Sequence, residues 1–145
     1  MSNNIFKTTD DWTGLVLRLS MTVVMIPHAI QHTTGGFGGF GYTKVMEYFT
    51  ATMHMPWLLA FLVIVIEVLA PLLLLVGFAT RLAAASLIVL MTGIIFSSHI
   101  QFGFFMNWLG AQKGEGYEYH LLYIGLGLAA FFNGGGKYSI DRYLQ

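Results

Sequence analysis

The sequence predicts an all-α integral membrane protein: a bundle of four transmembrane helices with a short interfacial helix in its first outer loop. Composition is the first reason. Hydrophobic residues make up 56% of the 145 residues, charged residues only 10%, and the mean hydropathy is +0.68. Because a soluble domain carries about 25% charge, this chain cannot coat a water-exposed surface. Its apolar runs are continuous rather than alternating, which excludes a β-barrel and favours helices.

Charge and cysteine content exclude several kinds of function. Seven Lys and Arg residues balance seven Asp and Glu residues, so no net field attracts a nucleic acid. Cysteine is absent, which excludes a disulfide framework, a thiolate metal site and a thiol redox centre. Redox chemistry in this protein would therefore need a bound cofactor or a quinone.

One domain covering 1–145 is expected, with spans at about 15–32, 57–76, 82–102 and 119–136. A spanning helix needs about 20 mostly apolar residues, each rising about 1.5 Å. The second span, WLLAFLVIVIEVLAPLLLLV, carries a single charge, and the third carries none. The fourth has a shorter apolar core, 119–132, and reaches across the bilayer if the glycines that follow continue the helix.

The first outer loop, 33–56, divides into two parts. Its glycine-rich part reads TTGGFGGFGY and its second part reads TKVMEYFTATMHM. In a helix the second part places Val45, Met46, Phe49 and Met53 on one side, so we expect a short interfacial helix there.

Lys and Arg residues predict the orientation of the four spans. Five lie on the side of the two termini and two on the opposite side: Lys7, Arg18, Arg81, Lys137 and Arg142 against Lys44 and Lys113. The positive-inside rule then puts both termini in the cytoplasm. We expect Arg18 to snorkel to the cytoplasmic head groups and Arg81 to act as an anchor.

Glu67 lies about ten residues into the second span, near the bilayer midplane. An ionisable group there costs about 2.5–3.5 kcal/mol, so it must be protonated, paired or facing a polar cavity. One interpretation is a neutral carboxyl that hydrogen-bonds a neighbouring helix. Because intramembrane acids are usually functional, we favour a carboxyl that handles protons or binds a ligand.

Polar residues of all four helices fall in the outer half of the predicted bundle. His28 and His32 are four residues apart and share one face of the first helix. Topology and helical rise bring the others to the same depth, and the candidate set is His28, His32, Glu67, His99, Glu118 and His120. Such a set indicates a pocket between the helices.

Three ligands suit such a pocket. Histidines and carboxylates bind metal ions, although the Glu-x-x-His repeat of di-iron bundles is absent. His28 and His99 could ligate a b-type haem. Histidine and glutamate could also hydrogen-bond and protonate a quinone head group in an aromatic pocket. Quinone is the ligand we expect, and no residue is assigned as a metal ligand. Haem, a metal ion and purely structural hydrogen bonds stay open.

The chain resembles the DoxX family of small four-helix bacterial membrane proteins over roughly 15–142. The resemblance lies in the order and spacing of several segments: LRL and HAIQH, MEYFTATMHMPW, Glu67 followed by LLLLVGFATRLAA, His99, GYEYHLL and GGGKYSIDRYL. It implies the fold, a membrane location and functional positions at Arg18, His28, Glu67, Arg81, His99 and Glu118. The chain departs from the family pattern in helix one, where Ala29 follows His28 and His32 replaces an expected Lys.

The family takes its name from a subunit of a thiosulfate:quinone oxidoreductase, and the resemblance implies a redox association. We therefore expect a multi-pass protein of the bacterial inner membrane, a subunit of a quinone-dependent oxidoreductase system with a membrane or soluble redox partner. Glu67 would relay protons, and His28 and His99 would contact the head group. His32, Glu118, His120 and Arg18 are the expected ligand-binding residues. The alternative is a non-catalytic subunit that anchors a partner; a homo-oligomer stays open, and a proton-coupled transporter is a third hypothesis.

Overall fold

The structure is a computed structural model that describes residues 4–145, which form helices and turns without a strand. We number the helices α1 (Trp12–Thr33), α2 (Gly41–Glu47), α3 (Trp57–Val76), α4 (Thr80–Ile94), α5 (Glu118–Asn133) and α6 (Asp141–Leu144). A π-helical turn, Tyr48–Thr52, continues α2, and another, Ile95–His99, continues α4.

Three helices of the described residues are long and apolar enough to cross a membrane: Trp12–Thr33, Trp57–Val76 and Thr80–Phe102. They correspond to the first three predicted spans, and the all-α membrane class is confirmed. The fourth helix, α5, has 16 residues, which rise about 24 Å. It ends at Asn133 because Gly134 leaves the helical conformation with φ 81°. The glycines therefore do not continue the helix to residue 136, as the sequence had suggested.

The four long helices close a ring, because α1 and α4 each pack against both α3 and α5. Apolar residues fill the centre, among them Met21, Met25, Leu74, Leu87, Met91 and Tyr123. The outside of the bundle is also apolar: Val23 is 70% exposed, Val89 69% and Leu122 69%. Several polar side chains of the helices are instead buried, among them Arg18, Thr22 and Glu67, as a bundle surrounded by lipid favours.

The predicted helix of the first outer loop is present and packs on the rim of the bundle. Val45 and Met46 of α2 are buried against Ala60 and Ile64 of α3, and Phe49 packs beside them. The apolar side of α2 therefore faces the bundle.

The segments near both chain ends lie on one side of the bundle. The backbone N–H of Lys137 donates to the Asp11 carbonyl at 2.9 Å, and Arg142 pairs with Asp10 at 2.7 Å. Arg81 donates to the Lys7 carbonyl at 2.9 Å. The predicted grouping of these cations is thus a feature of the fold.

Arg18 does not snorkel to head groups, contrary to our expectation, because it is only 2% exposed. Its guanidinium donates hydrogen bonds of 2.6–3.1 Å to five backbone carbonyls, those of Leu74, Leu75, Gly135, Lys137 and Tyr138. The first two belong to the last turn of α3, whose carbonyls lack partners within the helix. A cation there also suits the negative end of the helix dipole.

Asp141 makes the complementary contact on α4. Its carboxylate accepts hydrogen bonds from the backbone N–H groups of Ala79 at 2.6 Å and Thr80 at 2.9 Å. These are orphan donors at the positive end of the helix. Arg18 and Asp141 together hold the tight turn between α3 and α4, where Gly77 and Ala79 both have positive φ.

Candidate functional site: a polar cavity between the helices

A cavity of about 220 Å³ lies inside the bundle on the side away from the chain ends. We call it the polar cavity; its lining residues are Met25, His28, His32, Glu67, Met91, Ile94, His99, Tyr119 and His120. All four long helices or their extensions contribute to it. The structure thus brings five of the predicted site residues, four histidines and Glu67, to one place.

His32 and Glu67 connect α1 to α3 at the wall of this cavity. His32 Nδ1 lies 2.6 Å from Glu67 Oε2, and the two side chains are 28% and 5% exposed. The His32 ring also makes an edge contact with Phe49, with 6.1 Å between ring centroids. The Glu67 carboxyl is therefore both paired and next to a polar cavity. Either arrangement lowers the cost of an ionisable group at this depth in the membrane.

His99 and His120 form the opposite wall, with ring centroids 4.4 Å apart. His99 Nδ1 lies 2.7 Å from the Glu115 carbonyl oxygen. Because a carbonyl oxygen only accepts, Nδ1 carries the hydrogen and donates it, which leaves Nε2 free for another partner. His99 ends the π-helical turn Ile95–His99, an irregularity that occurs frequently at functional sites.

Two residues that line the cavity each carry a buried polar atom without a hydrogen-bond partner among the described residues, Tyr119 Oη and His120 Nδ1. His120 is only 8% exposed. An unsatisfied buried donor or acceptor costs about 1–3 kcal/mol, so it needs an explanation such as a ligand or an ordered water. Tyr123, one turn along α5, shows the satisfied case, because its hydroxyl donates to the Met21 carbonyl at 3.1 Å. The polar cavity thus offers unused hydrogen-bonding capacity.

Two predicted site residues do not line the cavity. Arg18 lies at the opposite end of the bundle, bound to carbonyls. Glu118 accepts a hydrogen bond from the Met106 backbone N–H at 3.2 Å and orders the loop before α5.

His28 does line the cavity, although its side chain also reaches the outer surface. Tyr119 was missed as a site residue; its place between Glu118 and His120 was the available signal.

The cavity suits a small ring better than a large cofactor. Its 220 Å³ lies below the 300–1,000 Å³ that is typical of drug-sized ligand sites, at about the scale of a single head group. Within residues 4–145 no group of three or more His, Asp or Glu side chains is arranged to hold a metal ion. Unpartnered hydroxyl and imidazole groups match a ligand that exchanges hydrogen bonds.

The fold and the cavity define a multi-pass helical membrane protein with a histidine-rich polar site between its helices. The DoxX family model matches residues 14–100, which is more than half of the chain. The chain therefore belongs to the DoxX family, and the resemblance seen in the sequence is confirmed. The matched region contains His28, His32, Glu67 and His99. Comparisons with curated proteins and with solved structures give no match.

Proposed function

We propose that the polar cavity binds the head group of a membrane quinone and exchanges protons with it, within a redox system of the bacterial inner membrane. The supporting observation is that Tyr119 and His120, whose Oη and Nδ1 atoms are buried and unpartnered among the described residues, line this cavity with the His32–Glu67 pair. A quinone ring carries carbonyl oxygens that accept hydrogen bonds, and the corresponding quinol carries hydroxyl groups that donate them. The wall contains groups of both kinds.

Proton transfer is assigned to Glu67 and His32. A quinone takes up two electrons and two protons when it becomes a quinol, and a membrane or soluble redox partner protein would supply the electrons. The buried Glu67 would pass the two protons to the ring in turn, and the partly exposed His32 would deliver them to Glu67 from the outer side. His28 and His99 are proposed to contact the head group, and the Nε2 of His99 suits a quinol hydroxyl.

The proposal takes both termini to be cytoplasmic, which puts the cavity in the periplasmic half of the membrane. Its support is the cluster of cations around the chain ends, since positive residues are enriched on the cytoplasmic side. Protons would then exchange with the periplasm. Labelling of single cysteines placed in the loop before α5 and near residue 137 tests this orientation.

Quinone occupancy of the purified protein tests the proposal, with two tyrosines as a matched pair. We expect ubiquinone or menaquinone in solvent extracts of the wild type. Tyr119→Phe removes an unpartnered hydroxyl and should lower occupancy about fivefold or more without loss of stability. Tyr123→Phe removes a bonded hydroxyl and should cost about 1 kcal/mol of stability while occupancy per folded molecule stays unchanged.

Absence of quinone from the extracts, together with no binding of added quinone, would contradict the proposal. An absorption spectrum that shows a Soret band would favour haem instead. Elemental analysis of the same preparation detects a bound metal ion.

A second candidate function is the anchoring of a partner protein, and the loop before α5 favours it. This loop exposes Phe105 by 68%, Trp108 by 84% and Leu109 by 94%. A photo-crosslinking residue at position 108 should capture the partner if the loop docks it. The same residue at position 132, which is 71% exposed at the other end of the bundle, is the control.

A further inference from the structure

A second cavity, of about 450 Å³, lies between α3 and α4 beside the π-helical turn that follows α2. We call it the α3–α4 groove. Its walls are mainly apolar side chains, among them Leu59, Leu62, Ile66, Val89 and Leu90. Leu59 is 50% exposed, Leu62 43% and Val89 69%, so the walls reach the outer surface of two spanning helices. In a membrane that surface contacts acyl chains, and the groove therefore opens to lipid.

The groove and the polar cavity are neighbours that share three lining residues, His32, Glu67 and Ile94. The hydrogen-bonded His32–Glu67 pair therefore borders both the polar cavity and the apolar groove. A ligand that is polar at one end and apolar along its length matches this succession of surfaces.

Gly93 lines the groove and leaves open space in it. A Cβ atom built at Gly93 meets no heavy atom within 4 Å, whereas one built at Gly127 meets Ile88 at 2.8 Å. Small residues in membrane helices usually allow close approach of a second helix, as at Gly127. Glycine inside a helix is less stable than alanine, and at Gly93 no described residue uses the space that the missing side chain leaves.

We propose that the α3–α4 groove seats the isoprenoid or alkyl tail of the quinone whose head group occupies the polar cavity. This inference rests on the proposed function and adds the ligand class: long-chain membrane quinones that enter sideways from the bilayer. The ring lies beyond the His32–Glu67 pair, and the tail runs past Gly93 to the lipid. Because the tail moves from lipid into an apolar groove, it gains contact with the groove walls rather than a hydrophobic transfer free energy.

Binding of two quinones to three proteins in lipid nanodiscs tests the inference. The ligands are decylubiquinone, which has a ten-carbon tail, and duroquinone, which has none, both expressed as mole fractions in the lipid. The proteins are the wild type, Gly93→Phe and Gly125→Phe. Gly125 is the matched control, because its Cβ would also meet nothing within 4 Å and it lies on α5, away from the groove.

Gly93→Phe should weaken decylubiquinone binding about tenfold or more, because the new phenyl ring fills the groove. Duroquinone binding should stay within about twofold of the wild type. Gly125→Phe should change neither. Leu62→Trp narrows the groove from α3 and should give the same split, which covers the case in which Gly93→Phe does not fold.

Three results would overturn the inference. If the groove variants leave both affinities unchanged, or weaken both equally, the tail does not lie in the groove and the head-group site still stands. If the wild type binds neither quinone, the proposed function itself fails, and the tail site fails with it.

Discussion

His32 Nδ1 and Glu67 Oε2 lie 2.6 Å apart and connect two helices through a pair of unequally buried side chains. The Glu67 side chain is 5% exposed and the His32 side chain 28% exposed. Loss of His32 and loss of Glu67 should therefore have different effects on stability. Without His32 a carboxyl is left in the membrane interior without its partner, whereas without Glu67 the imidazole still reaches the outer side.

We expect the difference in burial between Glu67 and His32 to appear when the free energies of unfolding of their variants are compared. His32→Leu should cost about 3–5 kcal/mol, the range for a broken buried pair, and Glu67→Leu about 1–2 kcal/mol. The double variant should cost clearly less than the sum, because replacement of both partners leaves no unsatisfied group. Equilibrium unfolding in mixed micelles measures all three. Strict additivity would mean that the two side chains do not interact.

His120→Phe should separate stability from binding. The substitution removes a buried nitrogen without a partner, so the ligand-free protein should gain about 1 kcal/mol or stay unchanged. Quinone occupancy should fall at the same time, because a phenyl ring cannot form the hydrogen bond to the head group that the imidazole is proposed to form. Thermal unfolding and solvent extraction of the same sample give the two readouts. A clear loss of stability in the absence of ligand would show that the imidazole has a structural partner.

Arg18 should be irreplaceable by lysine. Its guanidinium reaches five carbonyls, whereas an ammonium group offers three donors at one point. Arg18→Lys and Arg18→Leu should both lower the free energy of unfolding by about 3 kcal/mol or more. Arg142→Ala is the control, because its pair with Asp10 is exposed by 42% and 52% and should contribute less than about 1 kcal/mol.

Quinone occupancy per folded molecule should stay unchanged in the Arg18 variants, since Arg18 lies at the opposite end of the bundle from the polar cavity. A selective loss of binding would place Arg18 in the ligand site, as the sequence had suggested.

Asp11 should make the start of α1 sensitive to acid. Hydrogen bonds from the Gly14 backbone, Thr9 and Asn133 lower the pKa of Asp11 below its ordinary value of 3.8. Because the pKa is lower in the folded protein than in the unfolded chain, this stabilisation is complete above the ordinary value. It is lost as the pH falls through the lowered pKa. Asp11→Asn keeps a capping side chain without a titrating group.

Unfolding midpoints measured in detergent from pH 6 down to pH 3 test this prediction, because that range brackets the ordinary carboxyl pKa of about 4. The difference in stability between the wild type and Asp11→Asn should shrink toward acid pH. A constant difference would contradict it.

The first three spans and the depth of the polar residues were predictable because both follow from one-dimensional rules. Continuous apolar runs define helices of known rise, and the rise fixes the depth of His28, Glu67 and His99. Glu67 was recognisable because a charge in an apolar run is costly.

Other features depend on contacts between distant parts of the chain and were not predictable. The partners of Arg18 are backbone carbonyls, which leave no pattern in the side chains of the sequence. An arginine near the end of a span therefore looked like one that snorkels to the head groups. The open space beside Gly93 depends on how the neighbouring helices pack, and the hydrophobic periodicity of the sequence does not predict it. Glu118 had the right depth, but its carboxylate turned to the Met106 backbone.

The Arg18 contacts have a consequence for how the protein is made. Arg18 lies on α1, but Gly135, Lys137 and Tyr138, 117 to 120 residues later in the chain, supply three of its carbonyl partners. The hydrogen bonds of Arg18 can therefore be completed only after that late segment has been synthesised. A chain truncated before residue 135 would retain at most the two carbonyl partners that Leu74 and Leu75 supply.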